Sequence, residues 1–202
     1  MIGIVDYGAG NLANLERALA RIGVPSRVLT SPEESGSQDI TGLILPGIGS
    51  FGSAARSLEG SGWSSRLLEW AGSGLPLIGI CLGMQLMFER SLEDGDNRGL
   101  GIFRGVVEPF KGSRVIHMGW DRVRWLHSPP AQDGEAFYFV HRYCCYRMDD
   151  AWGVCGSPGH PEFLAAARRG STMGFQFHPE RSGPKGLDLL RNAIREVTGG
   201  WS

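Results

Sequence analysis

A chain of 202 residues with a formal net charge of −1 is long enough to bury about 70% of its unfolded surface around one core, so residues 1–202 are expected to form a single domain. Near-neutral charge excludes a nucleic acid or membrane surface held by bulk electrostatics, and no apolar run approaches the roughly 20 residues that span a bilayer. The four cysteines, Cys81, Cys144, Cys145 and Cys155, lack paired disulfide spacing, and the start MIGIVDYGAG lacks the basic and apolar regions of a signal peptide. With no CxxC or HExxH either, free thiols in a reducing cytoplasm and a protein without zinc or other cofactor are expected.

In chain order, Ile2–Val5 reads as a short apolar strand ending in Asp6. Asn11 is placed to cap a helix whose Leu12, Leu15, Leu19 and Ile22 share one face. Further strands are expected at Ser26–Leu29 and Gly42–Leu45, separated by the polar loop Thr30–Asp39. Helices follow at Gly52–Leu58 and Trp63–Trp70, then a strand at Leu75–Ile80 and a helix after Cys81 that takes in Met84–Arg90. This alternation predicts an α/β fold with a mostly parallel sheet. The second half changes character: Val106–Phe110, Asp121–Trp125, Phe137–His141, Glu162–Ala167 and Met173–Phe177 read as strands between turns, with a second polar loop at Ser128–Gly134. A last helix is expected over Leu187–Val197, with Ser182 and Pro184 as start signals.

The stretch GICLGMQ carries the first chemistry. Cys81 follows a buried strand and stands between Gly79 and Gly83, the G-x-C-x-G pattern of a nucleophile elbow. Such a turn lifts the sulfur to the carboxyl end of the sheet, where α/β sites lie, and sets it at a helix start, which favours thiolate. A buried cysteine serving as filler needs no such flanks. A thiolate needs a base and something to hold that base. In FQFHPERS, Pro179 pushes His178 into extended backbone, and residues two apart on an extended segment point the same way, which puts Glu180 beside His178. Among the other histidines, His127 and His160 stand beside prolines in polar loops and are expected to be solvated. His117 and His141 adjoin apolar strands as core or interface residues, without a carboxylate two residues away.

Acyl chemistry also needs donors for an oxyanion. One is the backbone N–H of Leu82. The turn Pro46-Gly47-Ile48-Gly49 offers a second, or is simply a tight strand-to-helix turn. One other motif leads nowhere: Gly8-Ala9-Gly10-Asn11-Leu12-Ala13 fits the dinucleotide pattern G-x-G-x-x-A, but SRVLTS, about 20 residues on, lacks the required acidic residue.

Together DYGAGN, LPGIGSFG, GICLGMQ, HMGW, YFVH and QFHPE resemble the glutaminase subunits of imidazole glycerol phosphate synthase, class I glutamine amidotransferases of histidine biosynthesis. The resemblance runs from Ile2 to about Ala193. It implies a flavodoxin-like amidotransferase fold with Cys81, His178 and Glu180 as the triad, glutamine as substrate, and Ile48, Gly49, Leu82, Gln85 and the segment His141, Arg142 and Tyr143 around it. It also implies a (β/α)₈ cyclase as partner in a heterodimer, receiving ammonia through a passage near Asn11, Met118, Trp120, Tyr138 and Arg181. Trp120 is equally readable as core.

Several positions depart from the family pattern. Arg142 stands where serine is usual, Asp121 for asparagine, Ile116 for proline, Arg181 for lysine and Phe175 for threonine. These departures leave room for a paralogue that feeds ammonia to another synthase. An inactive regulatory subunit is a further alternative, against which the intact triad argues.

Overall fold

A computed structural model describes residues 1–113, 115–128, 130–157 and 159–200. The chain runs β1 (Ile2–Val5), α1 (Leu12–Arg21), β2 (Ser26–Leu29), β3 (Gly42–Leu45), α2 (Phe51–Gly60), α3 (Trp63–Gly72), β4 (Leu77–Ile80) and α4 (Leu82–Leu86). The second half adds β5 (Arg90–Ser91), β6 (Asn97–Arg98), β7 (Val106–Pro109), β8 (His117–Arg122), β9 (Arg124–Trp125), β10 (Ala136–His141), β11 (Tyr143–Cys145), β12 (Ala151–Ser157), β13 (His160–Arg169), β14 (Thr172–Phe175) and α5 (Gly183–Thr198).

The central sheet has the order β2-β1-β3-β4-β14-β13-β12-β9. Its first five strands pair in parallel and the remainder are antiparallel. Alternate residues of one strand face opposite sides: Ile2, Ile4, Ile44 and Ile78 pack with α1 and α5, while Val5, Leu43, Leu45 and Leu77 pack with α2 and α3. Both faces are covered, which is why these strands read as unbroken apolar runs. The α/β expectation with a mostly parallel sheet and antiparallel additions holds.

Some boundaries move. Asn11 caps α1, its side chain accepting from the Asn14 N–H at 3.2 Å. The helix after Cys81 is only one turn long, because the chain leaves it at Met87 to enter β5. The strand expected at Asp121–Trp125 is two pieces that break at Val123, and the first begins earlier, at His117. Strands β5, β6, β11 and β12 carry too little alternation or length to be read from sequence. Ser182 precedes α5 as expected, but its hydroxyl donates to the His178 carbonyl at 2.6 Å and accepts from the Tyr138 N–H at 2.9 Å. It ties the His178 segment to β10 and leaves the helix uncapped by a side chain. The loop Thr30–Asp39 contains a 3₁₀ turn, Pro32–Gly36. The loop at 128–134 falls partly outside the described residues.

The sheet order positions the site. β3, β4 and β14 are neighbours and parallel, so their carboxyl ends share one edge of the sheet. LPGIG follows the first, Cys81 the second and QFHPE the third. Two glycines let the elbow fit there. A Cβ on Gly79 would lie 2.8 Å from Met84 Cα and N, and one on Gly83 only 1.9 Å from the Leu45 carbonyl oxygen. Both obstacles are backbone and cannot rotate away, and the second is the closer. Gly83→Ala is therefore expected to destabilise the fold by more than about 3 kcal/mol, read as the loss of urea midpoint. A change under about 0.5 kcal/mol, the size of an ordinary surface substitution, would mean that α4 is free to slide off β3.

Candidate active site

Cys81 sits at the end of β4 with φ 53° and ψ −111°, left-handed backbone that a non-glycine residue adopts under strain. The turn holds because the Cys81 N–H donates to the Phe175 carbonyl at 2.7 Å and its own carbonyl accepts from the Gln85 N–H at 3.0 Å. Cys81 is 7% exposed and opens on a cleft of about 330 Å³ that Gly49, Gln85, Glu93, Tyr143 and His178 help to line.

His178 lines the same cleft as Cys81, and its Nδ1 lies 2.8 Å from Glu180 Oε1. The ring and the carboxylate are both buried, at 6% and 8% side-chain exposure. Burial works against a charged ring, but Cys81 and Glu180 beside it favour the charged form, prevail and raise His178 to about 10. The second carboxylate oxygen, Oε2, is buried without a hydrogen-bond partner among the described residues. The imidazole is thus held by the carboxylate and lines one cleft with the thiol.

The remaining thiols differ. Cys144, Cys145 and Cys155 are 0–2% exposed; burial pushes Cys144 up to about 12, Cys145 up to about 11 and Cys155 higher still. Iodoacetamide at neutral pH is therefore expected to label one thiol per chain, at Cys81, because reaction requires an accessible thiolate. Peptide mapping that found a second labelled cysteine in the folded chain would contradict this.

Turn 46–49 presses onto the start of α4. Tyr7 donates to the Pro46 carbonyl at 2.9 Å, and a Cβ on Gly47 would lie 2.8 Å from Gly83 N and 2.9 Å from Leu82 Cβ. Gly49 has φ +99°, and neither the Ile48 nor the Gly49 N–H has an acceptor among the described residues. Ile48, Gly49 and Leu82 line the same cleft as Cys81. Gln85 is buried beneath it, its amide nitrogen donating to the Tyr143 carbonyl at 2.8 Å and to Gln176 Oε1 at 3.0 Å. His141 supports the same carbonyl: its Nδ1 lies 3.0 Å from Tyr143 O, and burial lowers the ring to about 3. The side chains of Gln85 and His141 hold the segment, while Arg142 and Tyr143 line the opening.

Two residues of this cleft went unnoticed in the sequence. Gln176, 1% exposed, has its amide nitrogen 3.9 Å from the Cys81 sulfur. It stands two before His178 in a bend that follows β14; His178 itself is extended as expected, but Pro179–Arg181 forms a 3₁₀ turn, so the turn and not strand alternation brings Glu180 to the ring. Glu93 lines the opening near Arg142 and accepts from the Phe51 N–H at 2.7 Å; burial raises its carboxyl. No local signal marks it.

Outside the cleft, β8 and β10 pair antiparallel with Trp120 opposite Tyr138 and Met118 opposite Val140. Met118 and Trp120 are 63% and 59% exposed, which removes the core reading of Trp120. Its ring meets Tyr138 edge-on at 6.1 Å, and the Arg181 guanidinium lies 4.6 Å over the Tyr138 ring. Asn11 is exposed beside Pro46, Gly47, Ile48 and Glu180. One expectation fails outright: His160 is not solvated. It lies in β13 with 6% side-chain exposure and faces Asp121, because the antiparallel pairing of β12 and β13 carries it under β8. His127 is exposed as expected.

A thiol on a strained elbow, sharing a cleft with an imidazole held by a carboxylate and with the residues of the 48–49 turn and Leu82, is equipment for acyl transfer. The family model described as Glutamine amidotransferase class-I matches residues 3–197. Three relatives are each described as imidazole glycerol phosphate synthase subunit HisH. That of Desulfitobacterium hafniense (strain Y51) is 44% identical over 199 residues, covering 95% of this chain and 92% of its own. That of Geobacillus thermodenitrificans is 40% identical over 209 residues, at 98% and 97% coverage; that of Streptococcus gordonii is 42% identical over 196, at 94% and 93%. The chain belongs to the class-I glutamine amidotransferase family, within its group of HisH subunits of imidazole glycerol phosphate synthase. At fold level it is similar to a crystal structure of a glutamine amidotransferase, with a TM-score of 0.74 at 18% identity and 98% of each chain covered. It also resembles the structure of PurLQS from Thermotoga maritima, with a TM-score of 0.72 at 18% identity, covering 97% of this chain and 98% of the other. Among the described residues no helix is long and apolar enough to cross a membrane.

Proposed function

We propose that the chain is a glutaminase in which Cys81, His178 and Glu180 hydrolyse glutamine to glutamate and ammonia for an imidazole glycerol phosphate synthase of histidine biosynthesis. The observation that carries the mechanism is the buried His178 ring, paired with Glu180 and lining one cleft with the Cys81 sulfur. The sulfur attacks the side-chain carbonyl carbon of glutamine, and the negative oxygen that develops is met by N–H groups of Leu82 and the 48–49 turn. The C–N bond then breaks as His178 passes its proton to the departing ammonia, leaving a thioester. Water attacks the thioester, His178 takes its proton, the C–S bond breaks and glutamate leaves.

His178 acts as acid in the first half and base in the second, and the geometry provides the switch. Its affinity for the proton is raised by Cys81 as well as by Glu180. Once Cys81 is acylated that contribution disappears, burial regains influence, and the neutral ring is left to accept a proton from water. At the cleft opening, Arg142 and Glu93 have the charges to meet the α-carboxylate and α-ammonium of glutamine. Exposed Ile48, Met118 and Trp120, with Asn11, Tyr138 and Arg181, form the face on which the cyclase subunit, a (β/α)₈ barrel, docks. Sealing that face keeps ammonia from protonating in bulk water before it reacts.

Glycines on either side of Ile48 let its peptide turn at small steric cost. If an oxyanion donor is aimed correctly in a fraction of molecules, turnover falls by that fraction, and one such donor provides roughly 3–4 kcal/mol. Glutamate release is expected to be weak in the free chain and to rise when the cyclase subunit binds its nucleotide substrate. Equal rates for the free chain, the complex and the liganded complex would sink this gating. Complementation of a histidine auxotroph lacking the glutaminase subunit tests the pathway itself: no growth from a soluble, glutamine-hydrolysing chain would assign the ammonia to another synthase.

A further inference from the structure

We propose that His117, Asp121, Cys155 and His160 bind a zinc ion that fastens the β8–β10 hairpin to β12 and β13. One donor atom from each of the four lies within 4.8 Å of every other. Asp121 Oδ2 is 3.3 Å from His117 Nε2 and 3.1 Å from His160 Nε2. Two bonds of about 2.0 Å at a tetrahedral angle separate their donors by about 3.3 Å, so these three atoms already stand at ligand spacing around one point.

The hydrogen bonds behind the imidazoles determine what they present to that point. His160 Nδ1 lies 3.0 Å from the Pro161 carbonyl, an acceptor only, so Nδ1 carries the proton and Nε2 keeps its lone pair. The same logic runs through a second chain. His141 Nδ1 donates to the Tyr143 carbonyl at 3.0 Å, so its Nε2 accepts. His117 Nδ1, 3.0 Å away, must therefore donate, which leaves the His117 Nε2 lone pair free. Asp121 Oδ1 accepts from the Arg122 N–H at 2.8 Å, turning Oδ2 toward the two histidines. With both rings neutral, two imidazole lone pairs and a carboxylate oxygen then converge, with the Cys155 thiol beside them, and this arrangement calls for a cation, either a proton on an imidazole or a metal ion at the shared point. Outer hydrogen bonds of this kind orient metal-binding histidines and set their tautomers.

The chemistry selects the ion. Two neutral nitrogens, a carboxylate and a thiolate are a donor set for zinc. Binding displaces the Cys155 proton to solvent, so the 2+ charge of the ion is matched by Asp121 and Cys155 and the site is neutral overall. The surroundings are dry: His117 stacks on Phe110 at 5.1 Å between ring centres, and His160 lies 5.4 Å from Phe163. Cys155 is fully buried while Asp121 retains 25% side-chain exposure, which leaves an entry path. The donors come from β8, β12 and the first residue of β13, and the His117–His141 bond carries the site to the Tyr143 carbonyl beneath the cleft.

The test uses the full chain carrying Cys81→Ser, which removes the other thiol able to hold a metal, stripped with chelator and titrated with Co²⁺. The expected result is one equivalent bound, with tetrahedral ligand-field absorption and a thiolate-to-cobalt charge-transfer band, both abolished by Zn²⁺. Adding Cys155→Ser should remove the charge-transfer band. Loss of an outer partner of a metal ligand costs ten- to a hundredfold in affinity, so His160→Gln, which removes a ligand, should weaken binding at least about a hundredfold. Circular dichroism shows whether these variants fold. If they do not, thermal unfolding of the Cys81→Ser chain decides, since a zinc site raises its midpoint relative to chelator. Six-coordinate cobalt absorption without a charge-transfer band, a band that survives Cys155→Ser, or a midpoint indifferent to Zn²⁺ would each overturn the proposal.

Discussion

Replacing Cys81 with serine is expected to lower glutamine hydrolysis by at least about 10⁴-fold, the scale on which single losses from a nucleophile–base–orienter unit fall. Serine keeps the size of the side chain, so the strained elbow at φ 53° and its hydrogen bonds to Phe175 and Gln85 survive. It removes the sulfur that, with Glu180, raises the proton affinity of His178. Far-ultraviolet circular dichroism and the thermal midpoint should stay close to the parent. In complex with its cyclase, the variant should still turn over with added ammonia, because the cyclase chemistry belongs to the partner. Glutamine-dependent turnover that survives Cys81→Ser and Cys81→Ala would remove the cysteine from the reaction.

His178→Ala is expected to cost on the order of 10⁶-fold and Glu180→Gln on the order of 10⁴-fold, since loss of the base exceeds loss of the group that orients it. Alanine leaves no atom to carry the proton to ammonia or to receive one from water. Glutamine at 180 is isosteric and can accept from Nδ1, yet it withdraws a charge from a ring only 6% exposed. The pH profile should separate the two roles. His178, raised to about 10, stays protonated through neutral pH, so the acid-dependent acylation step should persist and then fall as pH rises toward about 10. In Glu180→Gln one of the two supports of that proton is weakened, and the fall should begin at lower pH. Identical activity and profile for Glu180→Gln and the parent would demote Glu180 to a structural carboxylate.

Much of this was legible in the chain. The parallel half announces itself because strands buried on both faces must be apolar throughout, and helices must carry one apolar stripe. Cys81, His178 and Glu180 are readable for a stricter reason: backbone sterics act over two or three residues. Glycines at 79 and 83 mark a close approach, since a Cβ added there would lie 2.8 and 1.9 Å from backbone atoms, and proline at 179 keeps His178 extended at the start of the 3₁₀ turn that carries Glu180. Boundaries in the second half were less legible. Strands such as Arg90–Ser91 and Tyr143–Cys145 are two or three residues long, too short for a period to show.

What the sequence determined by itself is therefore local: strand and helix periods, the elbow, and the extended backbone of His178. The adjacency of β3, β4 and β14, which brings the 46–49 turn, the thiol and the imidazole to one edge, was decided by sheet pairing. So was the support of the Tyr143 carbonyl by Gln85, 58 residues away, and by His141. The His117, Asp121, Cys155 and His160 group shows the division most plainly. Its members sit in polar or unremarkable stretches with no ligand spacing, and Asp121 meets His160 across 39 residues. Residues that far apart meet only where hydrogen-bonded strands hold their backbones at a set distance, and that register arises from burying both faces of the sheet at once, a property of the assembled fold.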